Sequence, residues 1–261
     1  MKKNIFKVTC FLGLSAFGEV SATSLYLNLM KKCLLNTIYE DTAIGGKFDI
    51  LKRERGQDWP ATAHTMIGLD GLNNIQFCLE DILKNHIPGD FIETGVWRGG
   101  ASIFMRAILK EYSITDRFVW VADSFQGLPI PNGTLYPADK GLKKASDDLA
   151  ISLETVKKNF AKYGLLDDQV KFLKGWFKDT LPVAPIENIA LMRLDGDLYE
   201  STIDALNSLY PKLSIGGYVI IDDYVAMPQC AKAVDDYRKT NDITEKLERA
   251  GWSIVYWKKT K

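Results

Sequence analysis

The sequence predicts an α/β fold: a mostly parallel sheet with helices on both faces, closed by an antiparallel hairpin at the C-terminal end. Residues 90–93, 118–122, 170–173, 189–194 and 218–221 are short apolar runs of strand length, and helical segments separate most of them. Residues 243–247 and 252–257 are two further runs joined by only four residues, too few for a helical crossover, so they read as a hairpin. A chain of 261 residues with 46% hydrophobic and 11% aromatic content buries a substantial core, which excludes a disordered chain or a disulfide-stapled miniprotein.

Taken from the N-terminus, Lys2 and Lys3 precede an apolar stretch at 8–17, and Val20, Ser21 and Ala22 imitate a cleavage site. Lys7 interrupts that pattern, and the reading favoured for 1–22 is an uncleaved extension of a cytoplasmic protein. Residues 23–88 form an N-terminal helical and lid region. Within it, apolar residues recur at helical spacing over 25–38 (Leu25, Leu29, Met30, Leu34, Ile38), a polar, mobile loop follows at 41–59, and 71–83 is a second amphipathic helix. Residues 89–261 form the main domain. An insertion at 126–152 carries three of the nine prolines without a clear period and reads as a lid or substrate-binding element.

Charge and cysteine usage narrow the function. Thirty-three Lys plus Arg balance thirty-three Asp plus Glu, so the basic excess of most nucleic-acid binders is missing and no nucleic-acid partner is expected. The four cysteines, Cys10, Cys33, Cys78 and Cys230, form no CxxC pair, which leaves zinc ribbons and thioredoxin-type motifs unsupported. No later run approaches the roughly 18 apolar residues of a membrane helix, so no membrane partner is expected.

Three constellations carry chemistry. The run ETGVWRGGAS at 93–102 joins the first strand to a helix through a glycine-rich turn, where backbone amides and the helix N-terminus receive a carboxylate or phosphate. Glu93, Thr94, Gly95, Val96, Gly99 and Ser102 are its candidate ligand-binding residues, although a purely structural turn would also explain the glycines. Asp123 closes the second strand with Ser124 beside it, the place where Rossmann-like folds bind ribose hydroxyls; a helix-capping Asp is the plainer alternative. Gly175 and Trp176 follow the third strand, where the indole either covers an adenine face or packs at the rim.

The third constellation is acidic. Asp195, Gly196 and Asp197 end one strand and Asp222 and Asp223 the next, so neighbouring strands bring these carboxylates together at the sheet's carboxyl edge. Such crowding needs a counter-charge, and a hard divalent cation, Mg2+, provides it. Asp195, Asp222 and Asp223 are the expected metal ligands, and Asp197 is expected to cap the helix that begins near Ser201. His64 is a candidate substrate contact and His86 a surface loop residue.

Together, ETGVWRGGAS at 93–102, DSFQGLP at 123–129, LMRLDGDLYEST at 191–202 and IIDDY at 220–224 resemble the macrocin O-methyltransferase family, over about residues 25–258. The resemblance implies a Rossmann-like class I methyltransferase fold with a seven-stranded sheet, S-adenosylmethionine and Mg2+ as cofactors, and methylation of a hydroxyl on a glycosylated natural product. It implies that Asp195, Asp222 and Asp223 match the metal ligands, that Asp195 is also the general base at the cofactor, that Thr65 and Met66 close the cofactor pocket, and that the chain forms a homo-oligomer, a dimer. The segment 136–149 departs from the family in carrying Lys140, Lys143 and Lys144 and no histidine, so acceptor contacts do not transfer. Two rivals remain at this stage: a glycosyltransferase holding a nucleotide-sugar diphosphate through the DxD pattern at 195–197, and a non-catalytic S-adenosylmethionine-binding protein.

Overall fold

The computed structural model describes residues 24–143 and 146–261. The signal-like segment at 1–22, Cys10 and Lys144 lie outside these. Strands β1 (Asp90–Thr94), β2 (Val119–Asp123), β3 (Val170–Lys174), β4 (Ile189–Leu194), β5 (Leu213–Ile221), β6 (Glu248–Ala250) and β7 (Ile254–Lys258) form one seven-stranded sheet in the order β3-β2-β1-β4-β5-β7-β6. The first five are parallel; β7 pairs antiparallel with β5, and β6 antiparallel with β7.

Helices α1 (Leu25–Leu34), α2 (Ile50–Arg55), α3 (Gly68–Lys84), α4 (Gly100–Glu111), α5 (Leu153–Lys162), α6 (Phe177–Thr180), α7 (Tyr199–Leu209) and α8 (Pro228–Thr240) complete the fold. Strand periodicity divides the core between the two faces of the sheet. Phe91, Leu191 and Ile220 point into the cluster beneath α1, α3 and α4, while their neighbours Ile92, Met192 and Val219 point into the cluster beneath α7 and α8. Because both faces are covered, β4 is buried along its whole length, which explains its unbroken apolar run.

Three of the differences from the elements the sequence suggests have a visible local cause. The first helix stops at Leu34, because Asn36 takes a positive φ of 52° and the buried Arg53 draws the Leu35 carbonyl to its Nη1 at 2.8 Å. The expected loop at 41–59 contains α2. Asp49 caps it by accepting from Leu51 N at 2.9 Å, and Gly56 closes it at φ 67°. The hairpin is displaced toward the C-terminus: 243–247 form no strand, and 248–250, read as the turn, are β6. Ile243 is held instead at the end of α8, where its N–H donates to Arg238 O at 2.9 Å, and the turn centres on Gly251 at φ 76°.

Candidate active site

The chain moves from β1 outward through β2 to β3, then returns to lay β4 on the other side of β1. That reversal opens a crevice at the carboxyl ends of β1 and β4, where open α/β sheets bind ligands. The strands end in step. Gly95 N donates to Ala122 O, Asp195 N to Thr94 O and Asp222 N to Leu194 O, each at 2.9 Å. The cleft they floor has a volume of about 550 Å3. Gly95 is required at its base, since it adopts φ 80° and a side chain there would collide with the Asp195 carbonyl.

Arg193 stands beneath this floor. It is the lone cation of an otherwise apolar strand and is 1% exposed. Its Nη1 donates to Glu93 Oε1 at 2.7 Å and to Asp195 Oδ2 at 2.9 Å, and its Nη2 donates to Asp222 Oδ1. Ser102 on α4 donates to the other Glu93 oxygen. One guanidinium therefore ties β1, β4 and β5 together beneath the cleft.

A single positive charge does not offset the carboxylates around it. Burial pushes Glu93 up to about 7, against the pull of Arg193 and Ser102. Burial and the Asp195 and Asp222 charges push Asp197 up to about 7. Asp222 also rises to about 7, through burial opposed by Arg193, and Asp223 rises well above the usual carboxylate range through burial and the charges of Asp197, Asp195 and Asp222. Oxygens of Asp195, Asp197 and Asp223 lie within 4.8 Å of one another. Asp222 is outside this group.

The other sequence-selected residues divide by position. Thr65, Met66, Glu93, Gly95, Val96, Asp123, Ser124, Gly175 and Trp176 line the cleft. Thr94, Gly99 and Ser102 stand behind the wall; Ser102 acts there through Glu93. Asp123 links β2 to the glycine turn, since its Oδ2 accepts from Val96 N at 2.8 Å and its Oδ1 from Phe125 N at 2.6 Å. His64 is not on the wall. Its Nδ1 lies 2.6 Å from the Tyr163 hydroxyl, and burial with nearby Lys162 and Arg98 lowers its pKa to about 4. His86 is an exposed residue after α3, at φ 53°.

Asp197 does not cap α7. Leu198 holds the N-cap position with no side-chain hydrogen bond, and the carboxylate that accepts from the first amides belongs to Asp139, in the insertion. Asp197 instead faces Asp223, whose Oδ2 accepts from its N–H at 3.3 Å. Sequence reasoning missed the role of Arg193, although a cation inside a buried strand is a legible signal that paired acids lie nearby. Asp139 has no such signal, because its partners are 60 and 61 residues away.

Two loops wall the cleft. On one side, Arg53 donates to Asp41 Oδ1 at 2.5 Å and Asp58 Oδ2 at 2.9 Å, and Asp41 Oδ2 accepts from Thr62 N at 2.6 Å, which fixes the stretch carrying Thr65 and Met66. On the other side is the insertion. Ser124 Oγ donates to Gly127 O at 2.7 Å, and Trp97 Nε1 donates to Asp148 O at 3.0 Å. Among the described residues, no helix is long and apolar enough to cross a membrane.

Residues 42–259 match the macrocin-O-methyltransferase (TylF) family. A demethyldecarbamoylnovobiocin O-methyltransferase of Streptomyces niveus is 53% identical, across 92% of this chain and 95% of the relative. The 8-demethyl-8-(2,3-dimethoxy-α-L-rhamnosyl)-tetracenomycin-C 4′-O-methyltransferase of Streptomyces olivaceus is 52% identical, across 92% and 94%. The solved structure of the O-methyltransferase NovP superposes with a TM-score of 0.89 at 53% identity, over 91% of this chain and 99% of that one. This similarity sets aside both the glycosyltransferase and the non-catalytic alternatives. The chain is an O-methyltransferase and belongs to the macrocin-O-methyltransferase family.

Proposed function

We propose that this enzyme moves a methyl group from S-adenosylmethionine to a hydroxyl of a glycoside, with Mg2+ held at the carboxylate cluster. The observation that carries this reading is the meeting, in one cleft, of the glycine turn after β1 with the acidic ends of β4 and β5. The glycoside is suggested by the Streptomyces olivaceus relative, whose name specifies a rhamnosyl-bearing substrate and a 4′-O position.

The residues fit the donor. The turn at Gly95 and Val96 would approach its amino-acid end, Thr65 and Met66 would cover it, Asp123 would meet the ribose hydroxyls and Trp176 would stack on the adenine; all six line the cleft. They also fit a hard cation. The donor set is all carboxylate oxygen, and Asp197 and Asp223 are raised first by burial and then by the neighbouring carboxylate charges, which a bound cation would offset. Asp195 and Asp223 belong both to the expected ligand set and to the observed group. Asp222, the third expected ligand, pairs with Arg193, as Asp195 also does, and Asp197 is the third carboxylate of the close group.

S-adenosylmethionine supplies an electrophilic methyl group, and a divalent cation supplies the field that makes a nearby hydroxyl more acidic. The protein aligns and deprotonates. Asp195, with its side chain 27% exposed, faces the cleft and is the proton acceptor, while Arg193 fixes it through Oδ2. The ordinary carboxyl pKa, about 4, is far below that of a sugar hydroxyl, which is why the added positive field matters. With donor and acceptor bound, the two walls would limit access of water, which favours a transfer in which opposite charges cancel.

A homodimer is part of the same proposal, with exposed Leu25, Leu29 and Tyr39 at and after α1 as the apolar contact. Sedimentation that finds only monomer at micromolar concentration would remove it. The central test incubates the full-length protein with methyl-labelled S-adenosylmethionine, Mg2+ and a panel of desmethyl glycosides. Labelled product is expected and should vanish with a chelator. Transfer undiminished by the chelator would remove the metal, and failure to bind S-adenosylhomocysteine in calorimetry would remove the donor.

A further inference from the structure

Helix α7 starts without a cap of its own, yet its first amides are not left to solvent. Asp139 Oδ1 accepts from Tyr199 N at 2.9 Å, and Asp139 Oδ2 accepts from Glu200 N at 3.1 Å. Asp139 is 1% exposed and ends a single 3-10 turn, Pro137–Asp139, midway along the insertion. The Tyr136 ring lies beside it, 6.0 Å from that of Tyr199. A buried carboxylate at a helix N-terminus gains from both the unpaired amides and the positive end of the helix dipole.

The insertion's ends are held near β2 and the glycine turn, through Ser124 and Trp97. Among the described residues, the hydrogen bonds that tie its middle to another element are the two made by Asp139. That other element begins two residues after Asp197. We infer that Asp139 is a positioning residue: it latches the insertion to the N-terminus of α7, so that one wall of the cleft and the acidic loop at 195–197 are held as one body. Cutting the latch exposes two amides of α7 and releases the wall in the same event, so neither opens alone.

This rests on the reading of the cleft as the place where the acceptor is methylated, but its test needs neither donor nor acceptor and can fail independently. Full-length wild type, Asp139→Ala and Asp139→Asn are compared by hydrogen exchange over 126–143 and 198–203, and by tryptic cleavage at the exposed Lys140 and Lys143. Asp139→Ala should raise exchange in both segments, and cleavage, about tenfold or more, a shift of about 1.4 kcal/mol in each opening equilibrium. Asp139→Asn keeps one acceptor oxygen and should recover part of the protection in both segments together, a rescue that general destabilisation would not produce. If Asp139→Ala does not fold, the paired partial loss in Asp139→Asn carries the result. Opening of one segment while the other stays protected would overturn the latch, as would an Asn variant in which both segments open as far as in the Ala variant.

Discussion

Arg193→Met removes the one guanidinium from the carboxylate cluster and keeps an unbranched side chain in its place. Glu93 then retains only Ser102, while Asp195 and Asp222 lose their shared partner. Removing one partner of a buried ion pair costs about 3–5 kcal/mol, because the other charge remains buried. For a domain of this size that is roughly 6–20 °C in melting temperature. The cost should depend on pH. The carboxyl of Glu93 already stands at about 7 in the folded protein, against 4.5 for an ordinary Glu, and without Arg193 it rises further. A carboxyl raised in the folded state favours folding fully below its unfolded pKa, and that contribution is lost as pH rises through the folded value. The loss in Arg193→Met is therefore larger at pH 8.5 than at pH 6, where Glu93 takes up a proton instead. Urea unfolding at both pH values measures it, and the double variant Glu93→Gln, Arg193→Met should regain part of the loss. An Arg193→Met protein within about 1 kcal/mol of wild type at pH 8.5 would refute the buried network, as would a loss independent of pH.

Three further outcomes follow from the same coordinates. Gly95→Ala drives a methyl group into the Asp195 carbonyl at a positive φ, so it should cost about 1–3 kcal/mol of stability and weaken S-adenosylhomocysteine binding at least tenfold by calorimetry. Asp197→Asn should weaken Mn2+ binding more than Asp222→Asn does, because Asp197 lies in the close oxygen group and Asp222 is held by Arg193; the reverse order in calorimetry would restore Asp222 as a ligand. His64, lowered to about 4 from an ordinary 6.5, is neutral when folded, so its contribution is present above pH 6.5 and lost as pH falls toward 4. His64→Phe should flatten the stability profile across that window in thermal melts.

The sheet was legible because strands covered on both faces read as unbroken apolar runs, as at 189–194. The C-terminal hairpin was legible in kind but not in register, since Ile243 is apolar for its place at the end of α8 rather than for a strand. Helix α2 was not read, although Asp49 and Gly56 stand at its two ends, because six residues of which four are charged give no apolar period that stands out from a polar loop. At the site, strand ends gave the acidic residues their common edge. Which of their oxygens lie together depended on Arg193 binding Asp222 and on Asp197 being free of capping duty, and that duty passes to Asp139 across 60 residues of chain. Long-range substitutions of this kind leave no local pattern.

Crystals grown with S-adenosylhomocysteine and Mn2+ offer the most direct measurement, an anomalous difference map that locates the metal without reference to activity. A peak within bonding distance of Asp195 and Asp223, beside the bound cofactor, is the predicted result. A fully occupied cofactor with no peak at these carboxylates would contradict the account.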